Sequence, residues 1–207
     1  MGDRTIFENL MAAKAVREAG YHDTRLTNAH TQYVRREDRE LFGKYNVIAN
    51  TTGAWFVNDE NNEIALGDRA KELFLMKTLI KNGSKITLSS DYSASELGHE
   101  PLKNIEMIVT RQVYGEKDFP VLEPVEERLT IEEAIEAYTI NAAYQVRMDD
   151  KIGSIEEGKY ADLVVLGENI FETDTYSIHR IPVVMTITNG KVVYNTNNIG
   201  SVVVKCC

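Results

Sequence analysis

Cysteine is nearly absent from this 207-residue chain, whose only two are Cys206 and Cys207, side by side at the C-terminus. Adjacent thiols at one end cannot build a disulfide framework, which predicts a reducing, cytoplasmic compartment. A terminal cysteine pair is prenylated in some GTPases, but no other segment resembles one, and the pair reads as a tail. Long apolar runs are missing as well, since nothing approaches the roughly 18 residues that suggest a membrane span. A surplus of basic residues is missing too: 23 Lys and Arg stand against 32 Asp and Glu, for a net charge of −9. That balance argues against a nucleic-acid binder, which would normally show a basic face. The opening MGDRTIFENL has no basic start followed by an apolar stretch, as a secretory signal would. Ile6 stands where the Met-Gly myristoylation pattern wants Ser or Thr. No G-x-S-x-G elbow occurs, and the glycines near Gly67-Asp68-Arg69 are too few for a phosphate cradle.

The chain does have the composition of a globular protein, 43% hydrophobic and 27% charged, and is long enough to bury a core. Residues 5–19 place Ile6, Leu10, Ala13 and Val16 near one helical face, and Gly20 comes next as a stop. RLTNAH (25–30) and NVIANTTG (46–53) read as strands, with the charged, helix-like REDRELFGKY between them. Residues 67–83 read as one helix carrying Leu73, Phe74, Met76 and Ile80 inward and ending at Gly83. The strand KITLSSD comes after it, and then a helix over 101–114 with Pro101 at its start. Strand and helix alternate, which predicts parallel strands with crossover helices.

A Pro-containing spacer, DFPVLEPVEER, precedes a change of pattern. TIEEAIEAYTINAAYQV opens with a capping box, Thr130 and Glu133, and is predicted as a single helix over 130–146. Beyond it lie the β runs ADLVVL, PVVMTI and KVVYN, the last two joined by Asn189-Gly190, a strong hairpin signal. The expected organisation is an α/β body over 1–150 and a small β unit over 151–207.

In a parallel α/β sheet or barrel the side chains at the C-terminal strand ends face the active site. Two residues at such ends can bind a metal or move protons: His30 after RLTNA and Asp91 after KITLSS. Each alone has an ordinary reading, a polar strand-end residue for His30 and a turn former for Asp91. Their shared sheet end balances the two readings. His22 and His99 fall in polar loops, and His179 reads as a surface or packing residue. Arg111, on the 101–114 helix, reads as solvated or salt-bridged rather than substrate-binding.

The segment YTINAAYQVRMDDKIGSIEEGKYADLVVL (138–166), with VMTITNGKVVY after it, resembles the C-terminal signature of the amidohydrolase superfamily. There a helix with T-x-N-x-A leads to G-S-I-x-x-G-K-x-A-D-L-V-V-L and a small β-sandwich. RLTNAHTQYV and KITLSSDY, with PLKNIEMIVTR, are similar to its amidohydrolase-3 branch, which includes N-substituted formamide deformylase-like proteins. The resemblance spans nearly the whole chain. It implies a metal-dependent hydrolase of small molecules with amide or N-formyl C–N bonds, and zinc or a similar divalent ion as cofactor. A deaminase or cyclic-amide hydrolase of the same superfamily is the alternative.

By this resemblance His30 ends the sixth strand of a (β/α)8 TIM-type barrel and Asp91 the eighth, with NVIANTTG as the seventh. Both residues would be metal ligands. Asp91 would also take the proton of the activated water and pass it to the leaving nitrogen. The His-x-His pair, bridging acid and strand-five histidine of the family have no counterpart in the sequence. GDRTIFENLMAA is similar to the family segment that begins within H-x-x-G-D, just after the strand-five histidine. The expectation is therefore a C-terminal portion: part of the barrel over 1–150 and part of the β-sandwich over 151–207. It would lack the N-terminal half of its barrel; a non-catalytic remnant or a subunit complementing a separate N-terminal half is the competing reading. Alone the chain would aggregate or form a homodimer through its open sheet.

Overall fold

The computed structural model describes residues 2–95, 97 and 99–196, so Cys206 and Cys207 lie outside the described residues. The first helix, α1 (Asp3–Glu18), buries Ile6, Leu10 and Ala13, three positions of the face read from its spacing. It ends where Gly20 takes a φ of 89°, a conformation that side chains resist. Arg17 then ties the helix to the sheet, donating to the carbonyls of Thr24 at 2.8 Å and Tyr45 at 2.9 Å.

Strands β1 (Leu26–Asn28), β2 (Val47–Thr52) and β3 (Ile86–Ser89) pair in parallel in the order β1-β2-β3. All six residues of β2 are buried, as a central parallel strand requires. Alternation gives the sheet two unlike faces. Val47, Ala49, Ile86 and Leu88 enter the apolar core with helix residues such as Leu10, Phe42, Leu79 and Ile108. The opposite face carries Asn50 and Thr87, and the Asn50 Nδ2 donates to Thr87 Oγ1 at 3.0 Å. Between β1 and β2 lies α2 (Arg39–Lys44), led by a 3-10 turn at Arg36–Asp38. A Cβ on Gly43 would fall 1.8 Å from the Asn82 carbonyl oxygen, so α2 crosses that chain backbone to backbone.

Residues 67–83 are not one helix. After α3 (Glu60–Leu66), capped by Asp59, the chain makes a 3-10 turn over Gly67–Glu72. It then leaves helical geometry, and resumes as α4 (Met76–Lys81). At the break Leu73 bridges Tyr33, the Phe74 N–H donates to the Gln32 carbonyl at 2.8 Å, and Phe74 has a φ of 53°. Tertiary pairing overrides the local helical pattern. α4 is held at its start by Glu127, which accepts from the Thr78 N–H at 3.0 Å and from the Thr78 hydroxyl.

The next helix, α5 (Pro101–Thr110), ends at Arg111 in left-handed geometry. Arg111 is neither solvated nor salt-bridged, contrary to the sequence reading. Its side chain is fully buried and donates to four backbone carbonyls: Leu122 at 2.7 Å, Phe74 and Leu73 at 3.0 Å, and Glu123 at 3.2 Å. Burial lowers its pKa to about 10, against partial compensation from Glu127 and Glu123.

The capping box of Thr130 and Glu133 forms as read, and Glu133 also receives Lys77 Nζ at 2.5 Å. The helix predicted over 130–146 breaks at Thr139, whose ψ is −95°, into α6 (Ile131–Tyr138) and α7 (Ile140–Gln145). Here Gly153 is pressed onto the chain, because a Cβ on it would lie 2.9 Å from the Ile140 Cα and 3.1 Å from the Thr139 oxygen. Arg25, just ahead of β1, grips the far end, donating to Asp149 Oδ1 and the Tyr144 carbonyl, both at 2.5 Å.

Strands β4 (Leu163–Leu166), β5 (Val183–Thr188) and β6 (Lys191–Asn195) form an antiparallel sheet, with Asn189 and Gly190 at φ 48° and 75° closing the hairpin. A 3-10 turn at Thr175–Arg180 packs against α5 and puts Ile178 into the main core. The buried Glu106 carboxylate locks this joint, accepting from the Gly115 N–H at 2.6 Å and the His179 N–H at 2.8 Å. His179 Nδ1 lies 2.7 Å from the same carboxylate, so the histidine is a packing residue with a polar partner. No described helix is long and apolar enough to cross a membrane.

Replacing Arg111 by Met keeps a flexible apolar stem but strands four carbonyls. At about 1–3 kcal/mol for each unsatisfied buried acceptor, partly relieved by relaxation, the expected loss is on the order of 4 kcal/mol. A lowered urea midpoint at unchanged slope measures it. Because the folded pKa lies below the unfolded one, the cost of burying the charge is constant below about pH 10 and Arg111 adds no pH slope near neutrality. Asp149 behaves differently: the Arg25 hydrogen bond lowers its pKa. Its contribution is full above the ordinary carboxylate pKa and lost as pH falls through the lowered value, below about pH 4. Asp149→Asn is expected to flatten that acid limb in urea melts taken across pH.

Candidate functional site

Three chain corners meet at the C-terminal end of the parallel sheet. The first comes after β1. Asn28, fully buried, receives the Asn9 amide on its Oδ1 at 2.9 Å and donates through Nδ2 to Thr31 Oγ1 at 2.8 Å. Thr31 Oγ1 donates in turn to the Asn28 carbonyl at 2.8 Å, and the Thr31 N–H reaches the Asn50 carbonyl on β2 at 2.9 Å. This knot turns the chain at His30, which takes a φ of 53°. The second corner comes after β3, where Asp91 takes a φ of 48° and its carbonyl accepts from the N–H groups of Ala94 at 2.8 Å and Ser95 at 3.0 Å. Both corner residues sit in the left-handed region, which His and Asp enter more readily than most but still at a cost.

β1 and β3 are separated by β2, so their ends stand about 10 Å apart. The two corners close that gap: His30 Nε2 lies 3.5 Å from Asp91 Oδ1. The imidazole is 49% exposed and the carboxylate 23% exposed, so solvent reaches the pair. The third corner, a 3-10 turn at Gly53–Trp55 after β2, sets the Trp55 ring 5.0 Å from the His30 ring at an interplanar angle of 48°. Below the corners Ser89 Oγ lies 3.4 Å from Asn50 Oδ1, and with Thr87 these side chains make a polar strip along the sheet. Imidazole and carboxylate at the open end of a parallel sheet can take a proton from water and deliver it to a departing group.

The amidohydrolase family model matches residues 2–194. The chain belongs to that family. It is 35% identical over 120 residues to the imidazolonepropionase of Kosmotoga olearia, covering 58% of this chain and 26% of that protein. It is 28% identical over 198 residues to the N-substituted formamide deformylase of Arthrobacter pascens, covering 94% of this chain and 35% of that protein. The chain thus spans about a quarter to a third of the length of these curated relatives. Among solved structures, an atrazine chlorohydrolase variant from Arthrobacter aurescens in complex with zinc and atraton superposes with a TM-score of 0.61. At 17% identity, over 93% of this chain and 40% of that one, the likeness speaks to the fold alone.

In this amidohydrolase chain the structure brings together the two residues singled out from sequence, His30 and Asp91. His22 and His99 are exposed, and His99 meets Tyr92, the neighbour of Asp91, edge to face at 5.9 Å. Sequence reasoning missed Trp55, though the only tryptophan at the end of the middle strand was a readable signal. It also missed Asn28, Asn50 and Thr31, polar residues inside or beside strands, whose role depends on partners far along the chain.

The pair does not by itself fit a metal. A zinc site takes about four donors, and no group of three or more His, Cys, Asp and Glu side chains that could hold an ion occurs among the described residues. The purified chain, dialysed without chelator, is therefore expected to carry well under one equivalent of zinc. Elemental analysis checks this, and a stoichiometric ion lost in His30→Ala would overturn it.

Proposed function

We propose that the chain forms the C-terminal part of a (β/α)8 barrel hydrolase that cleaves C–N bonds other than peptide bonds, of amide or N-formyl type. β1, β2 and β3 are its sixth, seventh and eighth strands, residues 1–150 the barrel part and 151–207 the β-sandwich part. The observation that carries the reading is the approach of Asp91 to His30, built by two left-handed corners over an intervening strand. A turn former has no need of that geometry. The match to a formamide deformylase over nearly the whole chain supports the bond type.

In this reading Asp91 takes a proton as water adds its oxygen to the carbonyl carbon. The C–N bond then breaks, and Asp91 returns the proton to the departing nitrogen. His30 stands beside the carboxylate, its Nε2 3.5 Å from Asp91 Oδ1, and by the resemblance both side chains would be metal ligands. The divalent ion implied by the resemblance, zinc or a similar metal, would require donors outside the described residues. The substrate is a small molecule, and the compartment is the cytoplasm.

A second reading within the superfamily, hydrolysis of a cyclic amide, is favoured by the imidazolonepropionase match. A third, a non-catalytic remnant or a subunit completed by another chain, separates from both in the DNA ahead of Met1. An in-frame segment encoding His-x-His supports one longer enzyme, a separate gene for the first half supports a subunit completed by another chain, and the absence of both supports a remnant. The outer edges of β1 and β3 are where the rest of a barrel, or a second copy, would pair.

With the barrel completed by the N-terminal part of a family member, Asp91→Asn is expected to cut turnover of amide or N-formyl substrates by about 10²–10⁴-fold. Folding, monitored by circular dichroism, should be kept. Turnover at the parent rate would return Asp91 to the status of a turn former.

A further inference from the structure

Trp55 is the only tryptophan of the chain and sits on the corner between the two that carry His30 and Asp91. Its turn is clamped from behind. A Cβ on Gly53 would fall 2.7 Å from the Asn104 Cβ and 2.8 Å from the Ile108 Cδ1, so the turn lies directly on α5. The next residue, Phe56, is fully buried, stacks on Phe74 at 4.8 Å and lies under the Arg111 guanidinium at 5.8 Å. Trp55 is thus carried on a turn packed against α5 and the main core. The His30 imidazole is half open to solvent and meets Asp91 at 3.5 Å, beyond a good hydrogen bond. So loose a polar contact does not hold an exposed ring in one rotamer, whereas a tilted aromatic neighbour at 5.0 Å biases it.

We propose that Trp55 is a positioning residue for His30, its indole holding the imidazole turned toward Asp91 before any substrate arrives. The use of the pair in hydrolysis rests on the proposed hydrolase function; the positioning is a property of this chain and stands apart from turnover. Gly53 is part of the same device, since its missing side chain lets α5 press the turn, and with it the indole, into place.

The test uses the full chain, labelled with nitrogen-15, and the ring-nitrogen signals of its four histidines at neutral pH. His30 is identified by the signal lost in His30→Gln. In Trp55→Ala the His30 signals are expected to shift in the same direction as in Asp91→Asn, because both changes separate the ring from the carboxylate. Those of His179, locked on Glu106, stay in place, and Trp55→Phe restores the parent pattern. Unmoved His30 signals in Trp55→Ala overturn the proposal, and so does an equal movement of His179, which would show a general loosening. A second readout does not depend on the alanine variant folding. In the parent chain, nuclear Overhauser contacts between the Trp55 indole and the His30 ring protons are expected at neutral pH, since the two rings lie 5.0 Å apart. Their absence also overturns it. Neither readout needs turnover, so an inactive completed barrel with the parent NMR pattern would sink the hydrolase reading while supporting the positioning.

Discussion

The guanidinium of Arg111 gathers four carbonyl oxygens from two separate chain reversals, Leu73–Phe74 and Leu122–Glu123. Neither reversal belongs to a helix or strand, so their carbonyls have no regular partner and could not be buried alone. A planar five-donor fork satisfies both at once, which an ammonium could not do. Around that fork the rest becomes possible. The break at Leu73 lets Tyr33 bridge to it and lets α4 start in a new direction, against Glu127 and Glu133. Phe74, freed from a helix, packs on Phe56 beneath the turn that carries Trp55. The burial penalty on this charge, visible in its lowered pKa, is the cost of joining segments that local sequence would leave apart.

The candidate site depends on the same economy of polar contacts at a smaller scale. β1 has three residues, too few for its ladder alone to fix the corner beyond it. Asn28 and Thr31 supply the missing order by bonding across the corner and to α1 and β2. On the other side the Asp91 carbonyl is held by two N–H groups of its own turn. The result is that two side chains on non-adjacent strands meet over the end of β2, with solvent access. A parallel sheet offers such a place because all its strands end on one side. The buried Glu106 joins the antiparallel unit to this body through His179, so the core runs on from the parallel sheet into the segment ahead of β5.

Much of this was written in the sequence. The helical face of α1, the capping box at Thr130 and the Asn-Gly hairpin are local signals, set by periodicity, by hydrogen bonds three residues apart and by positive φ. Strand–helix alternation foretold the parallel sheet, and position at the strand ends marked His30 and Asp91. The dense agreement over 138–166 placed the chain in its family. What only the tertiary structure decided depends on residues that cannot see one another along the chain. The helical pattern of 67–83 gave way to carbonyls that Arg111 needed, and the helix over 130–146 broke where Gly153 presses on it. Arg111 itself looked like a surface charge because burial of a charge is legible only once its partners are in place. The 3.5 Å approach of His30 to Asp91 likewise arises from two left-handed corners and a strand between them. Local rules fix what lies within a few residues, and the free energy of pairing distant polar groups fixes where those pieces meet.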